Sequence, residues 1–418
     1  MNIQLPIPAF DLSYHDLIDS KHELVSYVQH LNLGRIERLI DTHYSGTGPN
    51  GFRKISLFLL DLLKIKKNIP SNRRLIKEIK EQRLWQHLTF LASKDRIGRY
   101  VRKARIPTHQ ALSKYHRTLG IKGFREILAL TVKEANELGL LAPARNQYRQ
   151  GIHLAQDSTF TVSKVTFENF KKNNALYRQA IGFGRSHKHK LPLGQKIHWL
   201  LSVPRRILVN LAVSPAQDQD GQYILPLMKE FVERHQIKVA YHIGDKSMSD
   251  DFTRRELYSR YGIVGIYPLK ENAVFPESFN KDGWPLCPHK YPLRCKGTDY
   301  KRQRTQYYCD RICLNLKTEQ ECSVLRSDKI QGYTFYTKFK QGMGKFGPVP
   351  QATKRFQKLY DTRTFTEQVN SLMKVIRYHF EENLTATDPA EVEMQALLYA
   401  ICLNYDEIVK ERIRLSLN

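Results

Sequence analysis

Acidic residues are the scarcest large class in this 418-residue chain: 41 Asp and Glu stand against 67 Lys and Arg, a formal charge of +26. That imbalance destabilises the compact state by self-repulsion unless a polyanion is nearby, so nucleic acid is the expected partner. Long apolar runs are missing too. The richest early one, "ISLFLLDLLKI", is cut by Asp61 and falls well short of the roughly 20 residues a spanning helix needs. No amphipathic basic helix with a lipid-facing stripe and no lipidation signal is visible, which excludes the anionic membrane as the polyanion. The first residues lack a basic segment followed by an apolar core, so no secretory signal is read and a cytoplasmic address is expected. No repeat and no low-complexity tract is seen. With 41% apolar and 26% charged residues, the chain reads as a folded globular protein of two or three domains.

What is present divides into two textures. Residues 1 to about 148 read as helices joined by short turns. In "SNRRLIKEIKEQRLWQHLTFLA", Ser71 and Asn72 are capping types, and Leu75, Ile76, Ile79, Trp85 and Leu88 follow at near-helical spacing, a plain core stripe. A basic turn with Arg96, Arg99, Arg102, Lys103 and Arg105 then precedes a helix capped by Thr108 and closed near Gly120. Such a turn either sits on DNA or forms a solvated cationic face; the spacing does not say which helix would enter a groove.

From residue 149 the pattern alternates. "IHLAQDSTFTVSK", "KIHWLLSV" and "RILVNLAVSPAQ" predict three strands in a meander. A helix follows, then "KVAYHIGD", continuously apolar as a central parallel strand is. Another helix, from Ser249 or Asp250 to Gly262, precedes the strand "IVGIYPLK". This is an α/β domain with a mixed sheet and flanking helices, interrupted at 271–350 by an inserted subdomain and closed by two long helices.

The acids have distinctive places. Asp157 lies in the first strand with parity opposite to Ile152, Leu154, Phe160 and Val162. Asp245 ends the central strand, at the sheet edge where open α/β folds bind ligands. Glu367 follows Thr364 by three residues, so "TFTE" also reads as a capping box. On the helix beyond it, Val369, Leu372, Met373, Ile376 and Phe380 share one face, with Glu367 and Lys374 together on the opposite one. Three carboxylates in one place suit Mg²⁺ or Mn²⁺, and two such ions about 3.5 to 4 Å apart serve in-line phosphoryl displacement. Lys374 and Arg363 suit phosphate, and Tyr360 suits stacking on a base or donation to a phosphate.

Tyr360, Arg363, Glu367 and Lys374 stand in the order Y-x2-R-x3-E-x6-K. In this the chain resembles the DDE-type insertion-sequence transposases with the YREK signature, and "QDSTF" and "IGDKSMSD" resemble the contexts of that group's two catalytic aspartates. The resemblance implies a ribonuclease-H-like catalytic core over 149–418 and a DNA-binding and dimerisation domain over 1–148. It implies Asp157, Asp245 and Glu367 as catalytic, Mg²⁺-holding residues, and Tyr360, Arg363, Lys374, Arg102, Lys103 and Arg105 as DNA contacts. It further implies a homodimer on the element's terminal inverted repeats, Mg²⁺-dependent cleavage and strand transfer, and a cytoplasmic, nucleoid-associated life in a prokaryote. The alternatives are a metal-dependent nuclease or resolvase on the same core, and an inactive DNA-binding relic. Some relatives flip a base onto aromatic residues; Trp284 is read instead as packing its own subdomain.

Cys287, His289, Cys295, Cys309, Cys313 and Cys322 offer a possible structural Zn²⁺ site, with Cys287, Cys295, Cys309 and Cys313 as the leading set. Disulfides are not expected there. Cys402, alone on an apolar helix, reads as core.

Overall fold

The structure, a computed structural model, describes residues 23–44, 51–91, 105–141, 151–172, 181–184, 192–309, 333–384 and 388–417. Helices come first: α1 (Glu23–Gln29), α2 (Leu33–Asp41), α3 (Lys54–Lys66), α4 (Asn72–Glu81), α5 (Arg83–Leu88) and α6 (His109–Glu137). Ser71 starts α4 by accepting from the Arg74 N–H, and Thr108 starts α6 by accepting from that of Ala111. Each thereby satisfies an N–H that has no partner inside its helix. The stripe expected to run through residues 71–92 is split, because Gln82 is extended (φ −109°, ψ 99°) and α5 starts anew. Leu75, Ile79, Trp85 and Leu88 are nonetheless all buried. Gly120, where the sequence suggested a stop, has φ 58°, and α6 kinks there and resumes.

Strand β1 (Ile152–Val162) is followed by α7 (Phe167–Lys172), β2 (Gly182–Phe183), β3 (Leu193–Val203) and β4 (Ile207–Pro215). Then come α8 (Ile224–His235), β5 (Val239–Ile243), α9 (Asp251–Tyr261) and β6 (Val264–Ile266). The hydrogen-bonded order is β2-β3-β1-β5-β6, with β4 antiparallel to β3, and β5 parallel to both β1 and β6. Every residue of β5 is buried, as its apolar run predicts for a central strand. Asp250 caps α9, and Gly262 closes it in the left-handed conformation (φ 66°).

The inserted region carries a separate antiparallel sheet of β7 (Arg294–Asp299), β8 (Arg304–Tyr308) and β9 (Thr334–Lys338). The chain continues through α10 (Met343–Phe346), α11 (Lys354–Tyr360), α12 (Thr364–Ser371), α13 (Phe380–Asn383) and α14 (Pro389–Ser416). Only α14 is long. α12 passes into a π turn at Leu372–Ile376, where the Arg377 N–H reaches back to the Leu372 carbonyl at 3.1 Å. That extra residue in the turn shifts the phase of everything after it. Val369 and Met373 are buried as expected, but Ile376, placed on the same face by a regular period, is 67% exposed.

The chain forms two compact units, each discontinuous in sequence. One comprises residues 1–142, 158–218 and 367–418, the other 143–157 and 219–366. In the first, α14 returns to pack on α6, α3 and β4. Asn404 of α14 is its polar pin, accepting from the Leu208 N–H (2.8 Å) and donating to the Leu208 carbonyl and the Thr131 hydroxyl. Asp406 lies beside it, 3% exposed, paired with Lys66 at 2.7 Å and Arg377 at 2.9 Å, and accepting from the Tyr378 hydroxyl. In the second unit, β5 and β6 carry α9, whose Arg254 donates to the Gly265 and Tyr267 carbonyls.

Candidate functional site

Strand register brings two of the expected acids together. β1 and β5 are parallel, with His153 opposite Tyr241 and Ala155 opposite Ile243, and Asp157 and Asp245 each lie two residues further on. Asp245 keeps an extended backbone (φ −77°, ψ 177°), so the alternation holds and the two carboxylates leave the same face of neighbouring chains. Strands at about 4.8 Å separation set the scale of their approach. Both residues are half-buried.

The turn after β5 aims Asp245. Its Oδ1 accepts from the Ser247 N–H (2.7 Å), the Ser247 hydroxyl (2.5 Å) and the Met248 N–H (3.3 Å). The capping load falls on one oxygen. Gly244 is required just before it, since a Cβ would sit 2.5 Å from the Met248 sulfur and 3.3 Å from the Tyr267 ring.

On the carboxylate face the rings of His153 and Tyr241 meet edge to face at 4.9 Å, and Arg355 of α11 donates to the Tyr241 hydroxyl. α11 is thereby held over this face. Its last residue, Tyr360, stacks on Phe356 with ring centroids 6.1 Å apart, and the Arg363 guanidinium lies 5.9 Å from the Tyr360 ring. Lys246, next to Asp245, feels the Tyr360 phenol and pairs with Glu271 at 2.5 Å. Lys246 and Arg355 were not singled out from sequence; the position of Lys246 in "IGDK" was the available signal.

On the opposite face a neutral chain of hydrogen bonds runs from β1 through β5 to Tyr267, just past the end of β6, and it too was missed. His242 Nε2 lies 3.2 Å from the Gln156 Oε1, and its Nδ1 lies 2.7 Å from the Tyr267 hydroxyl. Since an amide oxygen only accepts, Nε2 carries the proton and Nδ1 accepts from Tyr267. Burial lowers the His242 pKa to about 3, so the imidazole stays neutral. The unfolded chain, near 6.5, therefore takes up the proton first, and stability falls as pH drops below 6.5 and is level above it. Between pH 7 and pH 5 the loss attributable to His242 is about 2 kcal/mol. Urea midpoints at the two pH values test this: the His242→Gln protein should show a visibly smaller drop than the native one, and an equal drop would reject the assignment.

Glu367 belongs to the other unit and is exposed on α12. Thr364 has helical backbone angles (φ −54°, ψ −25°), which excludes it as an N-cap, because a cap residue is non-helical. The cap of this helical run is Thr353, accepting from the Phe356 N–H. The capping-box reading of "TFTE" therefore loses its threonine. Lys374 departs from expectation: the π turn carries its ammonium to the Phe160 carbonyl (3.0 Å) and Glu381 (2.6 Å) instead of leaving it beside Glu367 on an open surface. Phe160 is three residues beyond Asp157 on β1, so this contact ties the end of the α12 run to that strand.

The apolar row expected along β1 also breaks. Ile152 and Leu154 are buried, but after Gln156 the buried places pass to Thr159 and Thr161, whose hydroxyl donates to the Gln195 carbonyl, and Val162 is 45% exposed.

Among the described residues, no three His, Cys, Asp or Glu side chains are grouped to hold a metal ion; Asp157 and Asp245 are a pair. Two half-buried carboxylates on one face suit a hard cation completed by water and phosphate oxygens. Cys287, Cys295 and Cys309 lie in or against an apolar cluster with Leu293, Tyr307 and Trp284, and burial pushes the Cys295 thiol up. Trp284 packs that subdomain, as read from sequence. Cys402 is buried core in α14, its thiol pushed up to about 12. Cys313, Cys322, Arg102 and Lys103 lie outside the described residues. Arg105 is exposed, its guanidinium 4.8 Å above the Phe52 ring.

Residues 12–98 match a family model described as a transposase domain of the DUF772 type. No curated protein matches the chain. A solved structure of piggyBac transposase, in a synaptic complex with hairpin DNA, resembles it with a TM-score of 0.40 at 10% identity, over 94% of this chain and 74% of that one. Among the described residues no helix is long and apolar enough to cross a membrane.

Proposed function

We propose that this chain is a DDE-type transposase, cutting DNA at the terminal inverted repeats of a mobile element and joining the freed ends to a target. The observation that carries the reading is the register that sets Asp157, within β1, and Asp245, just past the end of β5, each two residues beyond the paired Ala155 and Ile243 of these parallel strands. The match of residues 12–98 to a transposase domain supports it, as does the +26 charge, which suits a phosphate-rich partner. The strand order, with an antiparallel meander on one side of β1 and two parallel strands on the other, is that expected of a ribonuclease-H-like core.

In this reading Asp157, Asp245 and Glu367 hold Mg²⁺. When bound, the metal supplies activation of the attacking oxygen and stabilisation of the leaving one. Asp245 presents Oδ2 because its Oδ1 is occupied by the turn. Arg363 and Tyr360 orient a phosphate and a base at the same face, while Lys374 positions the α12 run by holding the Phe160 carbonyl. Two copies on paired element ends form the working assembly.

The test is Mg²⁺-dependent release of 3′-hydroxyl ends from DNA carrying the repeats that flank the gene, with native protein and Glu367→Gln compared at equal DNA occupancy. Native protein should cut and join, and Glu367→Gln should bind without cutting. Equal cutting by both would remove Glu367 from the site, and cutting without joining would make the protein a nuclease.

A further inference from the structure

A cavity of about 470 Å³ lies within the first unit, among α3, α4, α6, α13 and α14, and neither Asp157 nor Asp245 lines it. Three permanent cations from three helices line it: Lys64, Arg73 and Arg117. Several other cations of the unit are paired, among them Arg74 with Glu78, Lys66 with Asp406 and Arg125 with Glu393. None of these three is in an ion pair among the described residues. Asp61, the nearest candidate, is already engaged: both its oxygens lie within 3.0 Å of the His116 Nε2. Lys64 is the telling member, because it is only partly exposed on α3 and burial lowers its pKa against the opposing pull of Asp61, so that its ammonium gains most from a bound anion.

The rest of the wall is not that of a simple ion site. Ile65, Met394, Leu398 and Tyr399 make one side apolar, and Asn383 and Gln395 add amides. A volume in the range of small-molecule pockets, an apolar wall and a cluster of unpaired cations together describe a ligand with a flat apolar part and an anionic end. Glu391 at the rim disfavours a second strong anion and so limits the charge the ligand carries.

We propose that this cavity binds a nucleotide, its phosphate on Lys64, Arg73 and Arg117 and its base along the Leu398 and Tyr399 wall. The nucleotide is either free or the unpaired terminal residue of a DNA strand; both present the same phosphate ester and base. The inference does not depend on the carboxylate reading, since it concerns binding at residues that take no part in cleavage.

The experiment uses the full chain without Mg²⁺. Calorimetry follows 5′-dAMP, and fluorescence anisotropy follows a blunt duplex and the same duplex with a three-nucleotide overhang. Lys64→Met and the exposed Arg73→Ala are compared with native protein, with thermal unfolding as the control for folding; should Lys64→Met not fold, Arg73→Ala carries the comparison. Loss of about tenfold or more in dAMP affinity, with both duplexes unchanged, identifies a free nucleotide. Loss of a preference for the overhang duplex over the blunt one identifies a DNA terminus. If native protein binds no dAMP and shows no overhang preference, or if the variants bind as native protein does, the proposal is overturned.

Discussion

Asp245→Asn should lower DNA cleavage by about 10³-fold or more while leaving DNA affinity and thermal stability near those of native protein. The expectation rests on a division of labour between the two oxygens. Oδ1 accepts three hydrogen bonds from the Ser247 and Met248 turn, and an asparagine oxygen accepts them nearly as well, so the local fold survives. What disappears is the negative charge that a divalent cation requires. Asp157→Asn, on the neighbouring strand, should cost a similar factor, and the double substitution little more, because residues acting as one unit are not additive. Single-turnover cleavage at saturating protein, with anisotropy for binding, gives the numbers. An Asp245→Asn protein that cuts within a few-fold of native would remove Asp157 and Asp245 as the reacting centre.

Asp406→Ala should be the most destabilising single change in the helical unit, by about 3 to 5 kcal/mol. The carboxylate is almost wholly enclosed and holds Lys66, Arg377 and the Tyr378 hydroxyl. Lys66 has no easy escape: its side chain is 6% exposed and its ammonium lies 3.9 Å from the Tyr27 ring centroid. Removing the anion leaves a desolvated cation, which costs more than the pair ever contributed. Pairing Asp406→Leu with Lys66→Met should therefore recover much of the loss, since an apolar replacement carries no uncompensated charge. Urea unfolding of the native protein, Asp406→Ala and the double variant reads this directly, and a loss below about 1 kcal/mol for Asp406→Ala would mean that water reaches the group.

The elements that could be read from sequence are those whose signals are local. Ser71, Thr108, Asp250 and Gly262 end their helices where capping chemistry places them, and the apolar run of β5 marks a strand covered on both faces. The placement of Asp157 within the first strand and of Asp245 at the end of the central one was legible for the same reason, although their relative register needed β1 on β5. The failures come from phase and from distance. One inserted residue in the π turn moved Ile376 to the surface and Lys374 to Phe160, and no periodicity announces such a turn. The neutral Gln156, His242 and Tyr267 chain joins β1, β5 and the residue just past β6, and the Asp406 network joins residues far apart in the sequence. Neither leaves a pattern in any one segment.

The Lys66 and Asp406 pair has a consequence for how the protein is made. Its two halves are 340 residues apart, so at roughly 5 to 20 residues per second the ribosome needs roughly 17 to 70 s to deliver the second after the first. Through that interval α3, with ten of its thirteen residues destined for burial, has no α14 to cover it. A chain that stops before α14 should therefore leave the face of α3 that α14 covers open to solvent.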